Sequence, residues 1–189
     1  MPVKLNPTDA VPIWSGPLRE PKRKFKFVLN LNGIATYTIK TTNRPQISIG
    51  EAKHEFLVHD FYFPGRVTWN EISITLVDPI DQNNSKRLLD FIKNGGYVNP
   101  SDFDPVPGGD NYQRKSLSKA AMVDGLGEIT IDTLDSKGSV IETWTLKNPW
   151  IKSVSYADMA YSDEGLVELT MALRYDWAVL TSTVDTGAT

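Results

Sequence analysis

Leu166-Val167-Glu168-Leu169-Thr170-Met171-Ala172-Leu173-Arg174-Tyr175-Asp176-Trp177 alternates large apolar side chains with polar or small ones over its whole length. Val167, Leu169, Met171, Leu173, Tyr175 and Trp177 share one parity, and Glu168, Thr170, Ala172, Arg174 and Asp176 share the other. Period two predicts one long strand with its apolar face in a core and its other face in polar surroundings. A helix is excluded, because it would scatter the apolar set around its axis. Ser162-Asp163-Glu164-Gly165 reads as the preceding turn. Residues 150–161 are then the partner strand of an amphipathic hairpin.

The rest of the chain has to supply the remainder of that core. Phe25, Phe27, Leu29 and Leu31 alternate with Lys26 and Asn30 and predict a strand. Asn32-Gly33 is a strong hairpin signal, after which residues 34–40 return as a second strand. Ile47-Ser48-Ile49 is a short extended piece, residues 53–62 another strand, and Pro64-Gly65 its end. Ile72, Ile74 and Leu76 share a face, while Val67 and Trp69 have the opposite parity. A β-bulge near Asn70-Glu71 reconciles the two. Residues 81–94 are the helix candidate. Asp81 or Asn84 can cap it, Leu88, Leu89 and Ile92 form its apolar stripe, and Gly95-Gly96 supplies a left-handed stop. Residues 97–113 read as a long loop. Residues 128–134 and 140–147 are further strands, the second with Val140, Trp144 and Leu146 on one face.

The predicted fold is mainly β: an antiparallel β-sandwich or barrel with one packed α-helix and an extended N-terminal arm. Residues 1–21 form the arm, 22–178 the β-domain and 179–189 a C-terminal tail. Pro2, Pro7, Pro12, Pro17 and Pro21 keep the arm extended. It also carries Val11, Ile13, Trp14 and Leu18, so it packs either on its own domain or on a neighbouring subunit.

With 189 residues, the chain is long enough for one well-buried domain. Its net charge of −3 gives no global field that would attract nucleic acid. The absence of cysteine removes disulfides, thiolate metal sites and cysteine catalysis. No apolar run approaches a membrane span, and no secretory signal is visible, so synthesis in the cytoplasm is the default. The Arg19, Lys22, Arg23, Lys24 and Lys26 cluster reads as a solvated strand approach rather than a nucleic-acid patch.

His54 and His59 are five apart, not the four that a helical zinc site needs, and on one strand they would face opposite ways. The aspartates lack the spacing of a calcium loop. There is no phosphate loop, nucleophile elbow or dinucleotide fingerprint. No catalytic, metal or cofactor site is expected. Five tryptophans invite a carbohydrate-binding reading, but Trp144 and Trp177 lie on the apolar parity of their strands and read as core.

The order of features resembles the tail tube proteins of contractile-tailed bacteriophages and, more distantly, the tube proteins of type VI secretion. The resemblance runs from Arg19–Leu31 through Phe63-Pro64-Gly65, Trp69 and Ile72-Ser73-Ile74-Thr75-Leu76 to Asp78 and a helix ending near Phe91-Ile92. It continues with Leu146-Lys147-Asn148-Pro149-Trp150, Tyr161-Ser162-Asp163 and the closing Glu168–Trp177 run. It implies a structural, non-enzymatic subunit of hexameric rings that self-assemble and stack into a hollow tube. Tape-measure protein and then DNA would occupy the lumen, bound without specificity. Sheath, baseplate and tail-terminator proteins would be the other partners. The place would be the virion tail, after assembly in the host cytoplasm, and the role would be genome ejection.

On that resemblance Glu168, Thr170, Arg174 and Asp176 face polar surroundings or the lumen. Ile13, Trp14, Arg44, Ile47, Ile49 and Glu51 are the candidate inter-subunit residues. Alternatives are a secretion or injection tube and, from a different class, a carbohydrate-binding β-sandwich.

Overall fold

Leu169, Met171 and Leu173 lie fully buried at the middle of strand β9 (Glu168–Arg174), while Thr170 between them is exposed. The computed structural model describes residues 20–102 and 116–183. The strands are β1 (Phe27–Asn30), β2 (Ile39–Thr42), β3 (Ile47–Phe56), β4 (His59–Trp69), β5 (Ile72–Val77), β6 (Ile129–Leu134), β7 (Val140–Lys147), β8 (Trp150–Tyr156), β9 and β10 (Trp177–Ser182). Helices α1 (Asn84–Asn94) and α2 (Lys119–Leu126) fall between β5 and β6.

Two four-stranded sheets form the body, in the orders β1-β6-β7-β10 and β2-β5-β9-β8, with every neighbouring pair antiparallel. Their inward parities meet in one core. Leu29, Ile129, Ile131 and Leu146 come from the first sheet, and Ile72, Ile74, Leu76, Ile151, Leu169, Met171 and Leu173 from the second. Leu88 of α1 and Met122 and Leu126 of α2 complete the cluster. Each such side chain contributes roughly 1.5–3 kcal/mol by leaving water. Among the described residues, β3 and β4 pair only with each other, in a separate two-stranded sheet.

The closing run is not one strand. β9 ends at Arg174, Tyr175 is buried, and the chain turns a corner into the other sheet, where Asp176 N–H donates to Lys147 C=O at 3.0 Å. Trp177 then pairs with Lys147 and faces outward, 47% exposed. Val167 precedes the strand and is 37% exposed. Both were expected in the core. The parity continues through the corner, but what is inward in one sheet is outward in the next.

Other departures have similar local causes. Asn32-Gly33 does turn, with Gly33 at φ +75° and a bridge between Leu31 and Ile34. The chain then leaves through a 3-10 turn (Thr36–Thr38), so β1 and β2 lie in different sheets and no hairpin ladder follows. The bulge expected near Asn70-Glu71 is instead a crossing from β4 to β5 between sheets. Residues 53–62 are not one strand but the distal half of the β3–β4 hairpin.

Helix α1 starts later than expected. Asn83 caps it, its side chain accepting from Lys86 N–H at 2.8 Å. Asn84 is buried instead and donates to Val77 C=O at 2.9 Å. Gly96 takes φ +108° after the helix, where an added Cβ would sit 2.6 Å from Ser116 C=O. The second helix, α2, has no counterpart in the sequence reading. Of the long loop expected over 97–113, residues 97–102 include a 3-10 turn (Pro100–Asp102), and the rest lies outside the described residues, as do nearly all of the N-terminal arm and the end of the tail.

The corner at Tyr175-Asp176 makes a sharp prediction. Leu173→Ala should lower the unfolding free energy by about 2–5 kcal/mol, as expected for truncating a fully buried leucine. Trp177→Ala, on the outer face, should cost under about 1 kcal/mol despite the larger deletion. Urea denaturation of the two variants distinguishes this corner from a continuous strand.

Candidate functional site

Three surfaces of this sandwich stand out by their chemistry: the projecting hairpin, a basic groove between two sheet edges, and a hydroxyl-rich outer face.

The hairpin has strands of 10 and 11 residues, roughly 34 Å long at about 3.4 Å per residue. Its residues are exposed on both faces up to Trp69. The register sorts the distal half into two chemistries. His54 faces Phe61 and Phe56 faces His59, so Ala52, His54, Phe56, His59, Phe61 and Phe63 share one side. Glu55 faces Asp60 and Lys53 faces Tyr62 on the other. There Lys53 Nζ lies 2.7 Å from Glu55 and 3.1 Å from Asp60, and the two carboxylates, Glu55 foremost, raise its pKa.

The two histidines thus share a face, contrary to the single-strand expectation, because the turn at Leu57-Val58 folds the segment back. Among the described residues, no group of three or more His, Cys, Asp or Glu side chains comes together to hold a metal ion. The apex is unusual chemistry for a turn. Leu57 takes φ +56°, and Leu57 and Val58 are both almost fully exposed. An exposed β-branched tip and a left-handed leucine cost free energy in water. At its root the hairpin is anchored, with the Trp69 and Tyr175 rings 6.0 Å apart and tilted by 57°. Midway, Gly50 and Gly65 face each other at a register shift. A Cβ on Gly65 would lie 2.9 Å from Gly50 C=O, so the close approach needs glycine there.

The groove runs between β1 and β2, the neighbouring free edges of the two sheets, with a volume of about 900 Å³. Phe27, Leu29, Ile39 and Ile131 make its floor, and Lys22, Arg23, Lys24, Lys26, Lys40 and Arg44 its rim. Glu142 of β7 fastens this region. It is 6% exposed, pairs with Lys22 Nζ, accepts from Trp144 Nε1–H at 3.0 Å and lies 3.7 Å from Arg44. Burial pushes its carboxyl up, but the Lys22 ammonium, the Trp144 N–H and the Arg44 charge outweigh burial and hold it below the usual range.

The outer face of the β2-β5-β9-β8 sheet carries a cross-strand row of hydroxyls: Thr41, Thr75, Thr170 and Ser155. Its charges are matched. Glu168 pairs with Lys40, Arg174 lies 3.4 Å from Glu71, and Glu71 also pairs with Lys152. Asp176 is at the corner rather than on this face. Lys119 at 2.7 Å, then Asn148 at 2.8 Å, hold its carboxyl below the usual range.

Of the residues singled out from sequence as contacts, Arg44 sits on the groove rim and Ile47, Ile49 and Glu51 on the exposed proximal hairpin. Ile13 and Trp14 lie outside the described residues. The aromatic face of the hairpin was missed. Its signal was present in the alternation of Phe61 and Phe63 with Tyr62, but an apolar turn hid the fold-back. Trp69, Trp144 and Trp150 all pack against the core, so among the described residues Trp177 is the one indole left markedly exposed. No helix among the described residues is long and apolar enough to cross a membrane.

No protein-family model matches the chain. A tail tube protein of Serratia phage KSP90 is 25% identical over 142 residues, covering 74% of this chain and 71% of that protein. Among solved structures, a chain of the sheath–tube complex of the PVC extracellular contractile injection system in its extended state superposes with a TM-score of 0.60 at 14% identity, covering 88% of this chain and 95% of that one. A chain of the anti-feeding prophage baseplate superposes with a TM-score of 0.59 at 10% identity, covering 86% and 96%. The resemblance to contractile-tail tube proteins is therefore met twice, by a sequence relative of that name and by a shared fold. The mainly β, antiparallel class read from the sequence is the observed one.

Glu142 yields a pH prediction. Glu142→Gln should cost about 1–2 kcal/mol at neutral pH, a figure discounted because both cationic partners are half exposed. Because the folded pKa is lowered, the advantage of the wild type is present above the unfolded glutamate pKa of about 4.3 and is lost as pH falls through the folded value. Unfolding curves of the two proteins should differ at neutral pH and merge in acid.

Proposed function

We propose that this chain is a structural, non-enzymatic subunit of the inner tube of a contractile phage tail. Six copies close a ring, rings stack into a tube, and the tube stands in the virion inside a sheath, between a baseplate and a terminator. It holds tape-measure protein and then conducts DNA. The observation that carries the assembly reading is the β3–β4 hairpin. A two-stranded ribbon is at best marginal in water on its own. This one exposes three phenylalanines on one face and a leucine-valine tip, a surface that a second copy of the chain would cover. The sequence relative named a tail tube protein and the fold shared with chains of the PVC contractile injection system and the anti-feeding prophage baseplate support the tube over other assemblies.

The hydroxyl row across β2, β5, β9 and β8 suits a channel wall. Glu168, Thr170 and Arg174 belong to this face, with the charges paired. A wall of neutral hydroxyls and matched ions lets a polyanion pass, whereas unpaired cations would retain it. Ile47, Ile49 and Glu51 join the hairpin contact between copies, and Ile13 and Trp14 of the arm add to it. A tube of an injection or secretion system is the second reading, favoured by the fold shared with the PVC and anti-feeding prophage chains.

Negative-stain electron microscopy of the purified chain at high concentration should reveal rings or hollow tubes. The triple variant Phe56→Ser, Phe61→Ser, Phe63→Ser should keep the thermal melt of the sandwich and lose the tubes. A wild-type chain that stays monomeric at every concentration, even with baseplates added as templates, would sink the tube reading. Long tubes from a chain lacking residues 1–16 would remove the share given to the arm.

A further inference from the structure

We infer that neighbouring subunits are joined by the loop of residues 157–167, which seats in the basic groove between β1 and β2 of the next copy. The inference rests on the tube reading and specifies the joint within a ring.

The two surfaces are complementary in three independent respects. Charge is the first. Six cations rim the groove and no acidic side chain lines it. Lys24 and Lys26 make no ion pair among the described residues. The loop carries Asp158, Asp163 and Glu164 and no basic residue. Apolar surface is the second. Met159, Tyr161 and Leu166 of the loop are strongly exposed, and the groove presents exposed Phe25 beside half-buried Phe27 and Ile39, over the buried Leu29 and Ile131. Buried together, they remove both apolar surfaces from water.

Position is the third. The loop leaves β8, one edge of the second sheet, and the groove borders β2, the other edge. Tyr156, Leu169, Leu76 and Ile39 stand in one row across that sheet, so the loop starts at the height where the groove floor is reached. Three antiparallel steps separate β2 from β8, so the two edges run in opposite directions. A β8 edge laid beside the β2 edge of the next copy continues the sheet antiparallel and carries the loop to the groove. The same joint repeats from copy to copy, because the two surfaces differ and face opposite sides: a heterologous contact, the type that forms a ring when its rotation closes. It also covers two free edges that would otherwise pair at random.

The chain lacks cysteine, so a single introduced pair reads the contact directly. In Phe25→Cys, Tyr161→Cys protein assembled into tubes, a short bismaleimide should yield a ladder of covalent oligomers on a denaturing gel, ending at the ring number. Neither single variant should give more than dimers. Charge exchange is the second test. Asp158→Lys with Glu164→Lys should abolish rings without moving the thermal melt, since both residues are exposed. Adding Lys24→Glu and Lys26→Glu to the same chain should restore them. Intact tubes with the loop charges reversed, no rescue by the exchange, or assembled tubes without a covalent ladder would each overturn the joint while leaving the tube reading standing. Failure of the wild-type chain to assemble at all would defeat the tube reading, and the joint with it.

Discussion

The inner faces of the two sheets share one apolar cluster, and every other feature of the subunit is placed by it. β9 sits centrally, hydrogen-bonded to β5 on one side and β8 on the other, and its Leu169, Met171 and Leu173 are wholly enclosed. With that strand held, the register of β5 and β8 follows, since a one-residue slip would bring their polar parities into the core. The corner at Tyr175 then delivers the chain to the opposite sheet, and the Tyr175 ring supports Trp69 at the hairpin root. One strand thus sets both the sandwich and the direction in which the hairpin leaves it.

A sandwich of two open sheets solves the core but not the edges. Among the described residues, β1, β10, β2 and β8 each have a neighbour on one side only, and the hairpin has two free sides of its own. Unpaired backbone groups at such edges satisfy themselves with water in a monomer, or with another chain. This subunit does little to discourage the second outcome. Its hairpin is long, and its tip is apolar where natural edges place charge. The proposed ring would resolve this by closure: edges would meet edges, and no open end would remain for uncontrolled growth.

The sequence was most legible where one residue type serves one purpose. Strict alternation marked β5, β6 and β9, and Gly95-Gly96 marked the end of α1, with Gly96 at positive φ as a left-handed stop requires. Parity does not reveal a sheet switch, which is why Trp177 and Val167 read as core and Asn70-Glu71 as a bulge. The hairpin apex was hidden because Leu57-Val58 has no glycine, asparagine or proline, so the four residues on either side of it, 53–56 and 59–62, read as a single strand. Helix α2 was hidden for the opposite reason. Eight residues containing Gly125 offer too few turns for a period to emerge, and it is held by Ser118 capping and by Met122 and Leu126 reaching the core. The groove is a tertiary object: Lys22, Ile39 and Ile131 are brought together only by the approach of two sheets.

Two of those features, the apex and the groove, have a physical trait in common. The Leu57-Val58 turn is a poor choice for a chain folding alone in water, because positive φ costs a leucine roughly 1–2 kcal/mol and both side chains stay exposed. Such a tip is tolerable where burial against another copy offsets the cost. Burying a leucine and a valine recovers several times that strain. The same holds for the cations around the groove, whose mutual repulsion is relieved only in part by Glu142, Glu168 and Glu20. In the proposed tube, the favourable partners of these positions would lie on a neighbouring subunit, which local rules do not see. An apolar turn and an only partly compensated basic rim are therefore features that the proposed assembled state would make consistent with the rest of the sequence.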